Sequence, residues 1–284
     1  MISKADIANM DYGTEQLVVA EALLRRACEI DIPFALKGSL LTIQFFPVSL
    51  NRDIEDIDFL YLEKINDNNK AKNIFNECMT KVTDLDFNDG VKFRSFSENA
   101  FWRGIDYAMD DDFPTVNTDI AYVFTCISEN FDKYDEISLD ISYNLDTVVP
   151  PVPLTYKPVF GHEFVVPYTI PLAVQVAWKL HQTIVRPRFK DLYDLKFLMA
   201  HPSYDRYSVK ETLRVLSDEC KHDKAATEAR KDRIFSEGIL DIYKEISNDY
   251  YWRKYLGRNA NPEECFYEFA KELNEIMYKV GLIN

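Results

Sequence analysis

The sequence predicts an α/β half followed by a helical half. Three observations carry this. Short apolar runs with β-branched residues alternate with helix-period segments through the first part of the chain. Six prolines (Pro150, Pro151, Pro153, Pro158, Pro167 and Pro171) then cluster as a connector. Beyond them the apolar spacing is almost entirely helical. Residues 1–168 therefore form an α/β (α+β) domain with an N-terminal helix, and residues 169–284 a helical C-terminal domain.

From Asp11 to Ile30, apolar residues at Leu17, Ala20, Ala22, Leu23, Leu24 and Ala27 give helical spacing, and Pro33 marks the end. Phe34–Lys37 is a short apolar strand punctuated by Gly38-Ser39. Leu40–Phe46 reads as a helix stopped by Pro47. A polar loop, Asn51–Glu55, leads into Asp56-Ile57-Asp58-Phe59-Leu60-Tyr61-Leu62, which reads as a buried strand. Ala71–Val82 is a helix; Val91–Ser97, Ala121–Ile127 and Ile137–Tyr143 are strands. Residues 146–171 make a connector with short extended pieces. Helices are expected over about 171–184, 191–200, 208–221, 224–248 and 262–280.

The chain has 284 residues, 47 acidic and 33 basic, for a net charge of −14, and is 47 % hydrophobic. A core is assured and disorder excluded as the main state. A protein living on phosphate contacts is usually basic. Here any nucleic acid has to be met by a local basic patch, and bound metal ions would offset acid locally. No run approaches the roughly 20 apolar residues of a membrane helix. The first twenty residues contain Asp6, Asp11 and Glu15 and no apolar signal core, so a cytoplasmic protein without a membrane role is expected. Five isolated cysteines without a CxxC pair read as reduced thiols.

Acid-x-acid alone says little: chance gives roughly 8 such pairs in a chain of this composition. Asp56 and Asp58 stand out because they sit in an apolar strand, where side chains two apart share a face. Paired carboxylates repel, and burial raises the cost. Such a pair persists with something cationic between the groups, such as two oxygen-liganded Mg²⁺ ions serving phosphoryl displacement. A strand-end pair facing solvent or salt-bridged to Arg52 fits the same pattern. Upstream, the strand–Lys37-Gly38-Ser39–helix turn offers backbone N–H groups and a hydroxyl suited to a phosphate. It also fits an ordinary helix entry with Ser39 as N-cap. A third carboxylate is expected on a neighbouring strand, and Asp140 in Ile137-Ser138-Leu139-Asp140-Ile141-Ser142 fits. An edge strand with Asp140 facing water is the alternative.

Together these residues resemble the AbiEii/AbiGii-type, MenT-like nucleotidyltransferase toxin family of the polymerase-β-like superfamily. One segment is Phe34-Ala35-Leu36-Lys37-Gly38-Ser39 with Arg52-Asp53-Ile54-Glu55-Asp56-Ile57-Asp58-Phe59. It is similar to the family's Lys-Gly-[Gly/Ser] … Arg-x-[Ser/Thr]-x-Asp-Ile-Asp-Phe. The other is Ala177-Trp178-Lys179-Leu180-His181 with Arg186-Pro187-Arg188-Phe189-Lys190-Asp191-Leu192-Tyr193-Asp194-Leu195. It resembles Ala-x-Lys-Leu-x-Ala … Arg-x-Lys-Asp-Leu-Tyr-Asp-Leu. The likeness covers roughly residues 30 to 200. Ile54 stands where the family often has Ser or Thr, a hydroxyl modified in some members to silence the enzyme; Leu40 replaces a usual Thr; and the Ser39–Asp56 loop is slightly long. None of these removes a metal ligand.

The resemblance implies a polymerase-β-like mixed sheet flanked by helices, with a helical C-terminal domain completing the active-site cleft. It implies Asp56, Asp58 and Asp140 as catalytic metal ligands for Mg²⁺ or Mn²⁺. Lys37, Gly38, Ser39, Arg52, Lys179 and Arg186 become nucleotide-binding residues. Lys179, Thr183 and Arg186 fall on one helical stripe, and Lys179 there either holds a triphosphate or snorkels over the core. Arg186, Arg188 and Lys190 form a basic patch. Asp191 and Asp194 read locally as an N-cap and a first-turn acid; the resemblance makes at least one of them catalytic, without saying which. His181 and His162 do not pair as metal ligands, and His181 reads as helix packing or surface. Arg253, Lys254 and Arg258, among Tyr250, Tyr251, Trp252 and Tyr255, form either an RNA-facing patch or, more simply, a helix end packed by aromatics.

The function expected is a Mg²⁺-dependent nucleotidyltransferase toxin of a toxin–antitoxin or phage-defence pair. It would move a nucleoside monophosphate from an NTP to RNA, at the tRNA 3′ end in some relatives, and answer to a cognate antitoxin. A small cationic molecule or a protein hydroxyl is the alternative acceptor. A nucleotide-binding protein without turnover is the alternative class.

Overall fold

The computed structural model describes residues 2–47, 52–105, 114–128, 130–235, 237–256 and 261–283, less the side chains of residues 222, 237, 238 and 240. Within these residues the chain divides into two compact units. One is Met1–Gln44 with Val48–Ile170; the other is Phe45–Pro47 with Pro171–Asn284.

The first unit opens with α1 (Lys4–Asn9), held by a Ser3/Asp6 capping box, and α2 (Tyr12–Glu29), capped by Asp11. The short α1 has no sequence periodicity to announce it. β1 (Phe34–Lys37) runs directly into α3 (Gly38–Thr42), and a 3₁₀ turn continues to Phe45. The helix thus starts at Gly38, two residues before the expected Leu40, and Lys37 rather than Ser39 is its N-cap. β2 (Asp56–Tyr61) is followed by α4 (Asn68–Asp84). Next come β3 (Val91–Phe93), β4 (Arg103–Ile105), β5 (Thr115–Phe124) and β6 (Asp135–Tyr143). The expected strand over 91–97 stops at Phe93, because Phe96–Glu98 turns into 3₁₀ helix and the Phe96 N–H donates to Thr83 Oγ1 at 2.8 Å. The strand expected over 121–127 lies earlier, at 115–124, and residues 125–127 form a turn.

The connector is more ordered than its prolines suggest. It carries β7 (Val152–Tyr156) and β8 (Phe164–Thr169), an antiparallel pair with a register shift between Val152 and Leu154. The sheet order is β3-β5-β6-β2-β1-β8-β7, with β4 also pairing β5. It is mixed: β2 runs parallel to β6 and β1 parallel to β8, while the other pairs are antiparallel. Phe34, Tyr61 and Tyr143 turn to one face and meet Phe75 of α4, and Phe59 on the same face stacks on Phe34 at 5.2 Å. Strand alternation puts Lys37, Asp56, Asp58 and Asp140 on the opposite face.

The second unit is helical: α5 (Leu172–Val185), α6 (Phe189–Ala200), α7 (Arg206–His222), α8 (Glu228–Ile234), α9 (Tyr243–Ile246), α10 (Tyr250–Tyr255) and α11 (Pro262–Val280). The single helix expected over 224–248 is broken into α8, a 3₁₀ stretch at Glu237–Ile242 and α9. Trp252 is fully buried between Phe189, Tyr255 and Phe266, whereas Tyr250, Arg253, Lys254 and Tyr255 of α10 are exposed. Arg258 lies outside the described residues. The tripeptide 45–47 belongs here because Phe46 packs on Phe197 and Tyr193, and Phe45 on His201.

Candidate active site

In the first unit a single cross-strand row runs over four strands. Lys37 of β1 is in register with Asp58 of β2, Asp58 with Asp140 of β6, and Asp140 with Asn117 of β5. Asp56, two residues before Asp58, is in register with Ser138. Asp56, Asp58 and Asp140 each place a carboxylate oxygen within 4.8 Å of the others. Asp140 is 7 % exposed, while Asp56 and Asp58 are half-buried. Because β6 lies between β5 and β2, Asp140 is on a central strand and the edge-strand reading is excluded.

The local chain explains the convergence. Gly38 adopts φ +67°, a conformation that favours glycine. The chain can then turn from β1 into α3 hard against β2. Ser39, the second residue of α3, reaches Asp56 Oδ1 at 3.5 Å, and Thr42 Oγ1 donates to the Gly38 carbonyl at 2.9 Å. Lys37 Nζ donates to Asp58 Oδ1 at 3.1 Å, with both side chains about one-sixth exposed. Arg52 lies half-buried in the loop before β2. Ile54 and Leu40 are core residues at 2 % and 0 % exposure, so the two departures from the family pattern serve packing.

Three carboxylates with no sulfur or imidazole among them suit a hard divalent cation, Mg²⁺ or Mn²⁺, better than a soft one. Repulsion among them is the cost such an ion relieves. Asn117 was not anticipated. Its Nδ2 donates to Asp140 Oδ1 at 2.6 Å and to Ser138 Oγ at 2.8 Å.

In the second unit a separate charged cluster gathers around Lys179 of α5. Its Nζ donates to Asp194 Oδ2 at 2.6 Å and contacts Asp191 Oδ1 at 3.4 Å. Arg188 Nε donates to Asp191 Oδ2 at 2.6 Å. Asp191 and Asp194 are 2 % and 0 % exposed. Burial pushes the Asp191 carboxyl up, yet Lys179 and Arg188 outweigh it and hold the group below the usual carboxylate range. The capping assignments are corrected here. Arg188 is the N-cap of α6, Asp191 is its third residue facing Lys179, and Asp194 lies in the second turn. Arg186 is the C-cap of α5, with a non-helical backbone, and is exposed, so it leaves the stripe of Lys179 and Thr183. Thr183 is buried and donates to the Lys179 carbonyl at 2.7 Å. His181 is a packed helix residue at 6 % exposure beside Asp223.

A mixed sheet on which three acids converge beside a Gly-Ser turn is an arrangement suited to metal-assisted phosphoryl transfer. The profile of the family described as nucleotidyl transferase AbiEii toxin, type IV TA system, matches residues 22–258. The chain belongs to this family and is a nucleotidyltransferase. Among solved structures it is similar to MenT4, a nucleotidyltransferase toxin from Mycobacterium tuberculosis, with 14 % identity and a TM-score of 0.55, covering 96 % of this chain and 85 % of that one. A putative nucleotidyltransferase from H. pylori also matches, with 19 % identity, a TM-score of 0.48 and coverage of 94 % and 95 %. JHP933 from Helicobacter pylori matches with 16 % identity, a TM-score of 0.47 and coverage of 96 % and 93 %. No curated protein matches the chain by sequence. Among the described residues, no helix is long and apolar enough to cross a membrane.

Proposed function

We propose that this nucleotidyltransferase toxin transfers a nucleoside monophosphate from an NTP to a hydroxyl of RNA, the tRNA 3′ end being the expected acceptor, with release of pyrophosphate. The observation that carries it is the convergence of Asp56, Asp58 and Asp140 beside Gly38 and Ser39. Asp56, Asp58 and Asp140 hold Mg²⁺ or Mn²⁺; when bound, these ions stabilise the charge that develops in an in-line displacement. Ser39 and the backbone at Gly38 bind the β- and γ-phosphates. Lys37 and Arg52 add positive charge to the nucleotide. In the second unit, Lys179, paired with Asp194 and Asp191, and the exposed Arg186 are the residues for which the family resemblance implies a nucleotide-binding role.

Asp140 takes the proton of the attacking hydroxyl as that oxygen bonds to the α-phosphorus. The bond from the α-phosphorus to the pyrophosphate oxygen breaks in the same displacement. Most of the rate acceleration then comes from positioning and fixed charge rather than from covalent chemistry by the protein. A cognate antitoxin would check the activity in the cell, and a role in phage defence is consistent with such a pair.

The test incubates the protein with each of four labelled NTPs and Mg²⁺, using total RNA, total protein or aminoglycosides as acceptors, beside Asp58→Ala. Label in tRNA with the wild type, absent with Asp58→Ala, is the expected result. Label confined to protein or to the cationic drug overturns the RNA acceptor; the net charge of −14 makes the drug the relevant competitor. Binding of NTP without pyrophosphate release under any condition overturns catalysis.

A further inference from the structure

We infer that Asn117 is a positioning residue of the acidic site: it fixes the rotation of the Asp140 carboxylate without neutralising it. The inference rests on the metal-site reading above and adds a residue from β5, a strand that supplies none of the three acids.

The geometry is specific. Asn117 and Asp140 are directly opposite on the antiparallel β5–β6 pair. The Asn117 amide nitrogen lies 2.6 Å from Asp140 Oδ1 and 2.8 Å from Ser138 Oγ. A carboxylate that ligates a metal only accepts hydrogen bonds, so in the metal-site reading the NH₂ end of Asn117 faces Asp140. Ser138 is itself in register with Asp56. Asn117 therefore touches the strand positions aligned with both ends of the acid pair. Asn is also depleted in strands, and here it sits in a strand paired on both sides.

The two ends of the four-strand row differ in kind. At one end Lys37 brings a full charge to Asp58. At the other a neutral donor meets Asp140, the most buried of the three acids. A neutral donor holds the plane of the carboxylate and adds no opposing charge of its own. Outer partners that orient metal-ligating carboxylates typically account for 10–100-fold in metal affinity.

The test measures Mn²⁺ binding to the nucleotide-free protein by electron paramagnetic resonance, with the thermal midpoint of the metal-free protein beside it. Asn117→Leu keeps the number and branching of the side-chain heavy atoms and removes the donor; Asn117→Gln restores an amide. The expected result is about 10–100-fold weaker Mn²⁺ binding for Asn117→Leu, with the metal-free midpoint unchanged and part of the affinity regained in Asn117→Gln. Mn²⁺ affinity in Asn117→Leu within twofold of wild type overturns the inference. So does an affinity loss that comes with a lowered metal-free midpoint and no recovery in Asn117→Gln, which would mark a folding role. If the wild type and Asp58→Asn bind Mn²⁺ equally weakly, the metal-site reading itself fails, and that outcome is distinct from the other two.

Discussion

A Cβ placed on Gly38 would lie 1.8 Å from Asp58 Oδ2. The turn into α3 and the position of Asp58 are therefore one steric fact, and Gly38 is required twice, for its φ of +67° and for this approach. Gly38→Ala should fold less stably, by about 1–2 kcal/mol for the left-handed backbone alone. It should lose more activity than stability, because the side chain that has to yield is Asp58; about 100-fold is expected from a displacement near 1 Å. The labelling rate and the thermal midpoint check this against Gly104→Ala, where an added Cβ meets nothing within 4 Å. Equal activity in the two variants would contradict it.

Lys37 and Asp58 give the second prediction. The ammonium sits 3.1 Å from one carboxylate of a site where three acids converge. Without a divalent cation it is a local offset to their repulsion. Lys37→Met should therefore destabilise the metal-free protein, by about 1.5–3 kcal/mol for a lost hydrogen bond to a charged group. Millimolar Mg²⁺ should close much of the gap, since an ion that binds only the folded state adds stability by mass action. Thermal midpoints with EDTA and with Mg²⁺ report it. A Lys37→Met deficit of the same size in both buffers would count against a cation site at the three acids.

The Lys179 cluster makes a third. Asp194 is fully buried and bonded to Lys179 at 2.6 Å. Removing one partner of a buried pair leaves an uncompensated charge, typically at about 3–5 kcal/mol. Lys179→Met should show a loss of that order. The double variant Lys179→Met/Asp194→Asn should recover part of the stability but none of the nucleotidyl transfer. Urea midpoints and labelling rates separate the two effects. A double variant as unstable as the single one, or one that regains activity, would refute the assignment. The same cluster sets an acid limit. The Asp191 carboxyl is depressed in the folded chain, so its stabilisation is fully present above its ordinary value of 3.8 and is lost as pH falls through the lower folded value.

How much of this was legible in the sequence depends on what each residue answers to. Asp56, Asp58 and Asp140 were visible because an acid inside an apolar, alternating run conflicts with its surroundings. Asn117 was not, because Thr115–Phe124 mixes polar and apolar residues on both faces, and an amide there looks like any solvent-facing position. Local spacing alone makes Asp191 a cap, because an Asp near a helix start usually caps it, whereas the family resemblance ties it to the Lys179 cluster. The side chain meets Lys179, twelve residues earlier on another helix, a contact that local spacing does not encode. The hairpin β7–β8 hid behind its prolines. Pro153 sits on the outermost strand beside a register irregularity, and Pro167 lies in β8 before its single register contact with β1 at Thr169, so neither breaks the sheet.

The last prediction concerns Glu21, which no functional role absorbs. It lies in α2 at 5 % exposure, and its carboxylate accepts from the Val159 N–H at 2.9 Å and from the Tyr156 hydroxyl at 3.3 Å. Burial raises its pKa from 4.5 to about 8, against the pull of those two hydrogen bonds and of Arg25. In the unfolded chain the group ionises near 4.5. Across the window from 4.5 to about 8 the folded chain therefore keeps a proton that the unfolded chain has released, and stability falls as pH rises through it. Tyr156 does not titrate in this window, because burial holds its hydroxyl well above the usual value. Glu21→Gln keeps the carbonyl acceptor and cannot ionise. The variant should match the wild type near pH 5 and exceed it near pH 8, flattening the stability profile between them. Thermal midpoints of both proteins at the two pH values test this. A Glu21→Gln midpoint below wild type by the same amount at both would show that the carboxylate is ionised and stabilising throughout.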